Sequence, residues 1–167
     1  MSVAAFALAN RLMSANDSSI FELDQKRMAG YSATPLVKKL GLRSGFKVAF
    51  VDAPENFVKQ LDLPSDVKVR SSAKARDLDF ILVFVISQKD LTTAFAQYSQ
   101  NIKPNGMLWV SWPKKTSRVQ TDLTENIVRD IGLAAGLVDV KVCAVDDVWS
   151  GLKFVYRLKD RGALKPR

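Results

Sequence analysis

Apolar and polar positions along the chain fall into blocks that switch between two periods. Residues 46–51 (FKVAFV) and 78–86, which follow Asp77 and carry Asp79 near their start, are apolar runs of strand length. Such continuous runs belong to strands covered on both faces, as in parallel sheets. Shorter strands are predicted at 67–69 and 107–112. Between these runs the spacing becomes helical. Residues 35–40 read as a short helix with Thr34 as N-cap and Pro35 at its first position, stopped by Gly41. Residues 55–61 make a turn or two of helix. Residues 89–101 place Leu91, Phe95 and Tyr98 on one stripe, and KPNG at 103–106 reads as a turn. A last helix is predicted over 122–135, with Asp122 as N-cap, Glu125 three residues on as in a capping box, and Gly136 at the C-cap. Leu123, Ile127, Ile131 and Ala134 or Ala135 form its apolar stripe. Residues 138–145 and 152–158 then read as two strands joined by DDVWSG, and so short a connection makes them antiparallel.

Strands separated by helices define an α/β chain with a doubly wound, Rossmann-like and mostly parallel sheet. The antiparallel final hairpin narrows this. Over residues 34–158 the order resembles the class I methyltransferase fold, whose sheet closes with a helix and an antiparallel pair. The fold is reduced: residues 70–77 (RSSAKARD) are too short to hold the helix, strand and helix that would complete it.

Length and composition tighten the picture. With 167 residues the chain reads as one domain that buries a core without a disulfide or metal staple. It has no histidine and one cysteine, Cys143. That excludes imidazole bases, His-ligated zinc, disulfides and cysteine-rich metal clusters, so no metal is expected. Cys143 lies within a strand and reads as a small buried hydrophobe. Lys38 and Lys39 read as a solvated helix face. No apolar run approaches the ~18 residues of a membrane helix, and no basic region precedes the apolar N-terminal stretch as a secretory signal requires. The expected location is cytoplasmic, with organellar import through the N-terminal extension as the alternative. The chain divides into an extension and linker at 1–29, the domain at 30–158 and a basic tail at 159–167. The N-terminus (Val3, Phe6, Leu8, Leu12) fits a short amphipathic helix, and residues 14–30 a linker. Of the net charge of +8, half lies in residues 157–167, where Arg157, Lys159, Arg161, Lys165 and Arg167 face Asp160 alone. Such an arm is either a solubilising tail or a contact for nucleic acid.

The resemblance to methyltransferases carries a cofactor test. In that family the first strand ends in an acid followed by a glycine-rich turn over S-adenosylmethionine, and an acid ends the second strand at the ribose. Here Asp52 stands at the first acidic position, but the turn reads Ala53-Pro54-Glu55-Asn56. Pro54 removes an N–H and restricts the backbone. Arg70 ends the second strand with the wrong sign. Two of three features are absent, so the expectation is a domain with no cofactor, S-adenosylmethionine being the alternative. Dinucleotide and Walker-type loops are absent as well.

Four stretches, GYSATPLVKKLG at 30–41, DAP at 52–54, WPKKTSRVQTDLTE at 112–125 and GLVDVKVCAVDDVWSGLKFV at 136–155, resemble a bacterial family catalogued as a domain of unknown function. The resemblance implies a small cytoplasmic protein with a methyltransferase-like sheet and no assigned reaction.

Ligands of open α/β sheets bind beyond the carboxyl ends of the strands. The residues expected on that rim are Asp52 and Pro54, Trp112 with Lys114, Lys115 and Arg118, and Asp146, Asp147 and Trp149. Ser87 and Gln88 leave the same edge. Each has two readings. The tryptophans cap the core, or stack a planar ligand or partner. The basic residues are a solvated loop, or with the following helix N-terminus hold an anion, which Asp122 at the cap would oppose. Asp146 and Asp147 pair with the lysines or face a ligand. Asp52 accepts hydrogen bonds in its own turn or orients a ligand. Three functions follow: a non-catalytic binding or accessory subunit for a protein partner or small anionic ligand; a divergent transferase with an altered S-adenosylmethionine pocket; and an RNA-associated basic subunit.

Overall fold

The computed structural model describes residues 33–164. The amphipathic helix and linker expected before residue 30, and the end of the basic tail, lie outside the described residues. In chain order the elements are α1 (Leu36–Leu40), β1 (Lys47–Val51), α2 (Phe57–Gln60), β2 (Lys68–Arg70), β3 (Leu78–Phe84), α3 (Gln88–Tyr98), β4 (Ile102–Pro113), α4 (Glu125–Ala134), β5 (Leu137–Ala144), β6 (Trp149–Tyr156) and α5 (Leu158–Arg161). Single 3₁₀ turns at Ser99–Asn101 and Lys115–Ser117 extend α3 and follow β4.

Six strands form one sheet in the order β2-β1-β3-β4-β6-β5. The first four are parallel, and β6 runs antiparallel to both β4 and β5. The doubly wound sheet with an antiparallel final hairpin is thus present. Because β6 is inserted between β4 and β5, β5 runs the same way as β4. The hairpin loop at 145–148 therefore opens on the carboxyl edge, beside the ends of β1, β3 and β4. No helix or strand occupies residues 71–77, so β2 remains a short, exposed edge strand.

Two apolar clusters cover the two sheet faces. Alternation along β4 divides them: Met107 and Trp109 pack with Leu40, Phe80 and Phe84 on the α1–α2 face, and Leu108, Val110 and Trp112 pack with Leu91, Phe95 and Val128 on the α3–α4 face. Trp109 is fully buried, so its indole N–H needs an acceptor. It donates to the Leu40 carbonyl at 2.9 Å and ties α1 to the sheet.

Several local expectations are corrected. Pro35, not Thr34, is the N-cap of α1; its backbone is extended, and its carbonyl accepts from the Lys38 and Lys39 amides at 3.0 and 3.1 Å. KPNG is not a turn between elements but a bulged start of β4. Ile102 pairs with Leu78 and Met107 with Phe80, so residues 103–106 bow out of the ladder. The bow is closed by Lys103, whose ammonium lies 2.7 Å from Asp79, and Asp79 also accepts from the Lys47 amide at 2.8 Å. The cap of α4 is Thr124, whose hydroxyl accepts from the Ile127 amide. The hairpin loop is shorter than DDVWSG, because Trp149 to Gly151 already pair with β4 and β5. The tail keeps one helical turn, α5, to Arg161.

The buried line of α4 is also displaced. Val128 and Gly132 are its buried residues, Ile127 and Ile131 pack at the margin, and Ala134 and Ala135 are exposed. The ring of Phe154 decides this. It stands edge-on to Phe95 at 5.0 Å, and a Cβ at Gly132 would come within 2.1 Å of it. The helix can lie this close only without a side chain there. Gly132→Ala is expected to cost about 1–3 kcal/mol by overpacking, although alanine is the better helix former; urea unfolding measures this directly.

Candidate functional site

The rim residues gather on the carboxyl edge but do not form one site. Near the sheet centre, Asp52 follows β1 in a left-handed conformation (φ 51°), and Asn56 repeats it at φ 64° before α2. Asp52 is exposed, and no hydrogen bond to its carboxylate forms among the described residues, so the expected bonds within its own turn are not made. Pro54 bends the chain between them, its carbonyl accepting from the Phe57 amide at 3.0 Å. Tyr98, read in the sequence only as part of an apolar stripe, ends α3 and packs against the α3–α4 cluster. Burial first, and then the negative charge of Asp52, hold its phenol above the ordinary value.

At the end of β4 the chain builds a second place. Trp112, Lys114 and Lys115 line an open cleft of about 410 Å³ with Thr124, Glu125, Asn126 and Ser150, and the Glu125 carboxylate is paired with Arg129 at 2.7 Å. Trp112 is buried, 5% exposed, on the α3–α4 face. Trp149 lies on the other face, edge-on to Phe84 at 5.1 Å. The two tryptophans therefore cannot stack one ligand between them; both close the core. Lys115 and Arg118 are exposed, and Arg118 adopts φ 61° outside the cleft lining. Lys114 is half-buried and donates to the Asp146 carbonyl at 2.6 Å. The Asp146 carboxylate accepts from the Val148 and Trp149 amides at 2.8 Å each, which shapes the hairpin turn. Lysine and hairpin do meet, through the backbone carbonyl. Asp147 is exposed and forms no ion pair among the described residues.

Between the two places lies a strap. Thr121 donates to the Ile86 carbonyl at 2.7 Å. Asp122, expected at the cap of α4, instead accepts from the Gln88 amide at 2.8 Å, the first residue of α3. Ser87 caps α3 by accepting from the Asp90 amide. Asp122 thus supports the start of α3 and does not cap α4. Thr124, Asn126 and Ser150 were not legible as site residues: a helix start and a strand residue carry no motif. Half-buried Cys143 has its thiol raised by burial, which suits a packing role.

Among the described residues no helix is long and apolar enough to cross a membrane, and no group of three or more His, Cys, Asp or Glu side chains is placed to hold a metal ion.

No protein-family model matches the chain, and no curated protein matches it in sequence. Solved structures do match. A SAM-dependent (S-adenosylmethionine-dependent) methyltransferase from Aquifex aeolicus aligns with a TM-score of 0.51 and 20% identity, covering 84% of this chain and 98% of that one. A TehB-like SAM-dependent methyltransferase from Corynebacterium glutamicum aligns at 0.49 with 8% identity over 84% and 98%. Magnesium protoporphyrin IX methyltransferase from Synechocystis, solved with bound SAM, aligns at 0.49 with 12% identity over 93% and 92%. The chain has the fold of the class I methyltransferases, reduced between β2 and β3. The expectation of a domain without a cofactor is overturned by the first of these matches, since the protein sharing the fold depends on S-adenosylmethionine.

The two cap assignments, Asp122 to Gln88 and Thr124 to Ile127, can be separated in solution. Asp122→Ala is expected to speed amide exchange at Gln88 and leave Ile127 protected, and Thr124→Ala to do the reverse, each costing about 1 kcal/mol; residue-resolved hydrogen exchange reads both.

Proposed function

We propose that the chain is a divergent S-adenosylmethionine-dependent methyltransferase with an altered cofactor pocket, acting on an acceptor that carries negative charge. The observation that carries this reading is Asp52: an exposed carboxylate with no hydrogen bond among the described residues, at the carboxyl end of β1, where ligands of open α/β sheets bind.

The fit to the cofactor is to one half of it. Asp52 offers an anionic acceptor for the ammonium of the methionine portion. The missing glycines are compensated in backbone shape, because Asp52 and Asn56 take the left-handed conformations that glycine usually supplies and that Asp and Asn tolerate best. The other half fits poorly. Arg70 ends β2, exposed, and gives no acceptor for ribose hydroxyls; exposed Ser71 follows it. S-adenosylmethionine, when bound, supplies a methyl group activated on sulfonium sulfur. The chain's own part is binding: Asp52 for the cofactor, and Lys115 with half-buried Lys114 for the charge of the acceptor in the 410 Å³ cleft. The two places are separated by β3, two strand spacings or about 10 Å. The accessory-subunit reading keeps the same residues but gives no reason for a free carboxylate at the end of β1.

Titration calorimetry tests the cofactor. The protein is expected to bind S-adenosylmethionine, and Asp52→Asn to weaken it about tenfold or more through loss of a charge-assisted contact. Absence of binding at millimolar cofactor, or equal binding by the variant, overturns the proposal. The acceptor has its own test. Label from the cofactor's methyl group, incubated with desalted cell extract, is expected in material retained by an anion exchanger. Lys115→Glu is expected to lower that incorporation with cofactor affinity unchanged.

A further inference from the structure

A second charged surface lies away from the rim. In β5 the ladder slips between Asp139 and Lys141, leaving Val140 as an extra, exposed residue. Two residues apart on a regular strand would share a face. The bulge breaks that rule and re-aims the chain, as bulges do. Asp139 stays on the α3–α4 face, opposite Phe154, and pairs with Arg129 of α4 at 2.9 Å. Lys141 turns to the α1 face, directly opposite Lys153 of β6, and donates to the Lys39 carbonyl at 2.9 Å.

A lysine directly across from a lysine is destabilising, since like charges in a cross-strand pair repel. Here the repulsion is reinforced. Burial and the charges of Lys141, Arg43 and Arg161 all push the Lys153 ammonium below its ordinary value. No carboxylate of the described residues relieves it. Among the described residues neither Arg43, Lys141, Lys153 nor Arg161 forms an ion pair, and Asp139 is turned to the opposite face. A bulge that sends the acid one way and the base the other gives this face a concentrated positive charge at a cost to the free protein. An anionic partner removes that cost.

We infer that the sheet face built on the Lys141–Lys153 pair, with Arg43 and Arg161, is a binding surface for the phosphate backbone of a nucleic acid. Three features favour that partner. The cluster holds two guanidinium groups, whose forked donors match phosphate oxygens. It presents closely set charges, the paired lysines having Cα atoms about 5 Å apart, and a nucleic acid strand offers a negative charge every ~3.4 Å along its axis. Finally, the four cations come from four separate segments, Arg43 after α1, Lys141 of β5, Lys153 of β6 and Arg161 of α5, so the surface suits an extended polyanion and not a single ion. The surface is independent of the rim and of the reaction proposed there.

The test uses the full chain and a fluorescein-labelled oligouridylate, titrated by anisotropy over a series of salt concentrations. Binding is expected, with log K falling linearly against log salt. Lys153→Met and Arg43→Gln are each expected to flatten that slope by about 0.7, one phosphate contact on a single strand. Neither side chain makes a hydrogen bond or ion pair among the described residues, so both variants are expected to melt at or above the wild-type temperature. Lys89→Met, an exposed charge on α3 across the sheet, is expected to leave slope and affinity unchanged. The inference is overturned by no binding at low salt, by an unchanged slope in Lys153→Met and Arg43→Gln, by equal flattening in Lys89→Met, or by polyglutamate or inorganic phosphate displacing the oligonucleotide at equal charge concentration. A lower melting temperature in both variants would show Lys153 and Arg43 to be structural and overturns it as well.

Discussion

Strand β3 is buried on both faces and paired on both edges, and the rest of the fold answers to that. Leu78, Ile81 and Val83 point into one apolar cluster, Phe80, Leu82 and Phe84 into the other, and none is more than 4% exposed. A strand with two dry faces needs a layer of helices on each side and a strand on each edge. Hence β1 and β4 flank it in parallel, α1 and α2 cover one face, and α3 and α4 cover the other. Backbone groups at the strand ends are then the only part of the central sheet that a ligand can approach. Both candidate places, at Asp52 and at the cleft beside Lys114, lie on that edge for this reason.

The second organising device is the distribution of charge by backbone irregularity. Two ladder defects each re-aim charged residues. The bow at 103–106 lets Lys103 reach Asp79, which also holds the Lys47 amide, so an acid at the start of a buried strand is compensated twice. The bulge at Val140 does the opposite for Lys141, moving it away from the acid two residues before it and against another lysine. The first arrangement satisfies a half-buried carboxylate. The second leaves like charges together, and this contrast within one sheet is why the β5–β6 face reads as functional and the β3–β4 start as structural.

The glycine-poor turn after β1 shows how a motif and its physical content part company. A glycine-rich loop supplies two things: left-handed backbone, and room for close approach of a ligand. Asp52 and Asn56 keep the first and surrender the second, because each carries a side chain. Absence of glycine therefore does not by itself remove the left-handed backbone of the turn.

Strand and helix order, the antiparallel ending and the missing unit before β3 were legible in the chain, because burial on one face or two writes a period into the sequence. So were the rim positions, which follow from where strands end. What the chain alone did not contain was partner choice over long separations. Asp122 and Thr124 are both good caps in isolation; only the packing of the loop against the end of β3 assigns Asp122 to Gln88 and leaves Thr124 to α4. Trp112 and Trp149 look alike as rim aromatics, yet adjacent strands place them on opposite sheet faces. Lys141 and Lys153 are twelve residues apart with nothing local to link them. The bulge that opposes them exists only in the paired sheet, since register is a property of two strands and not of one.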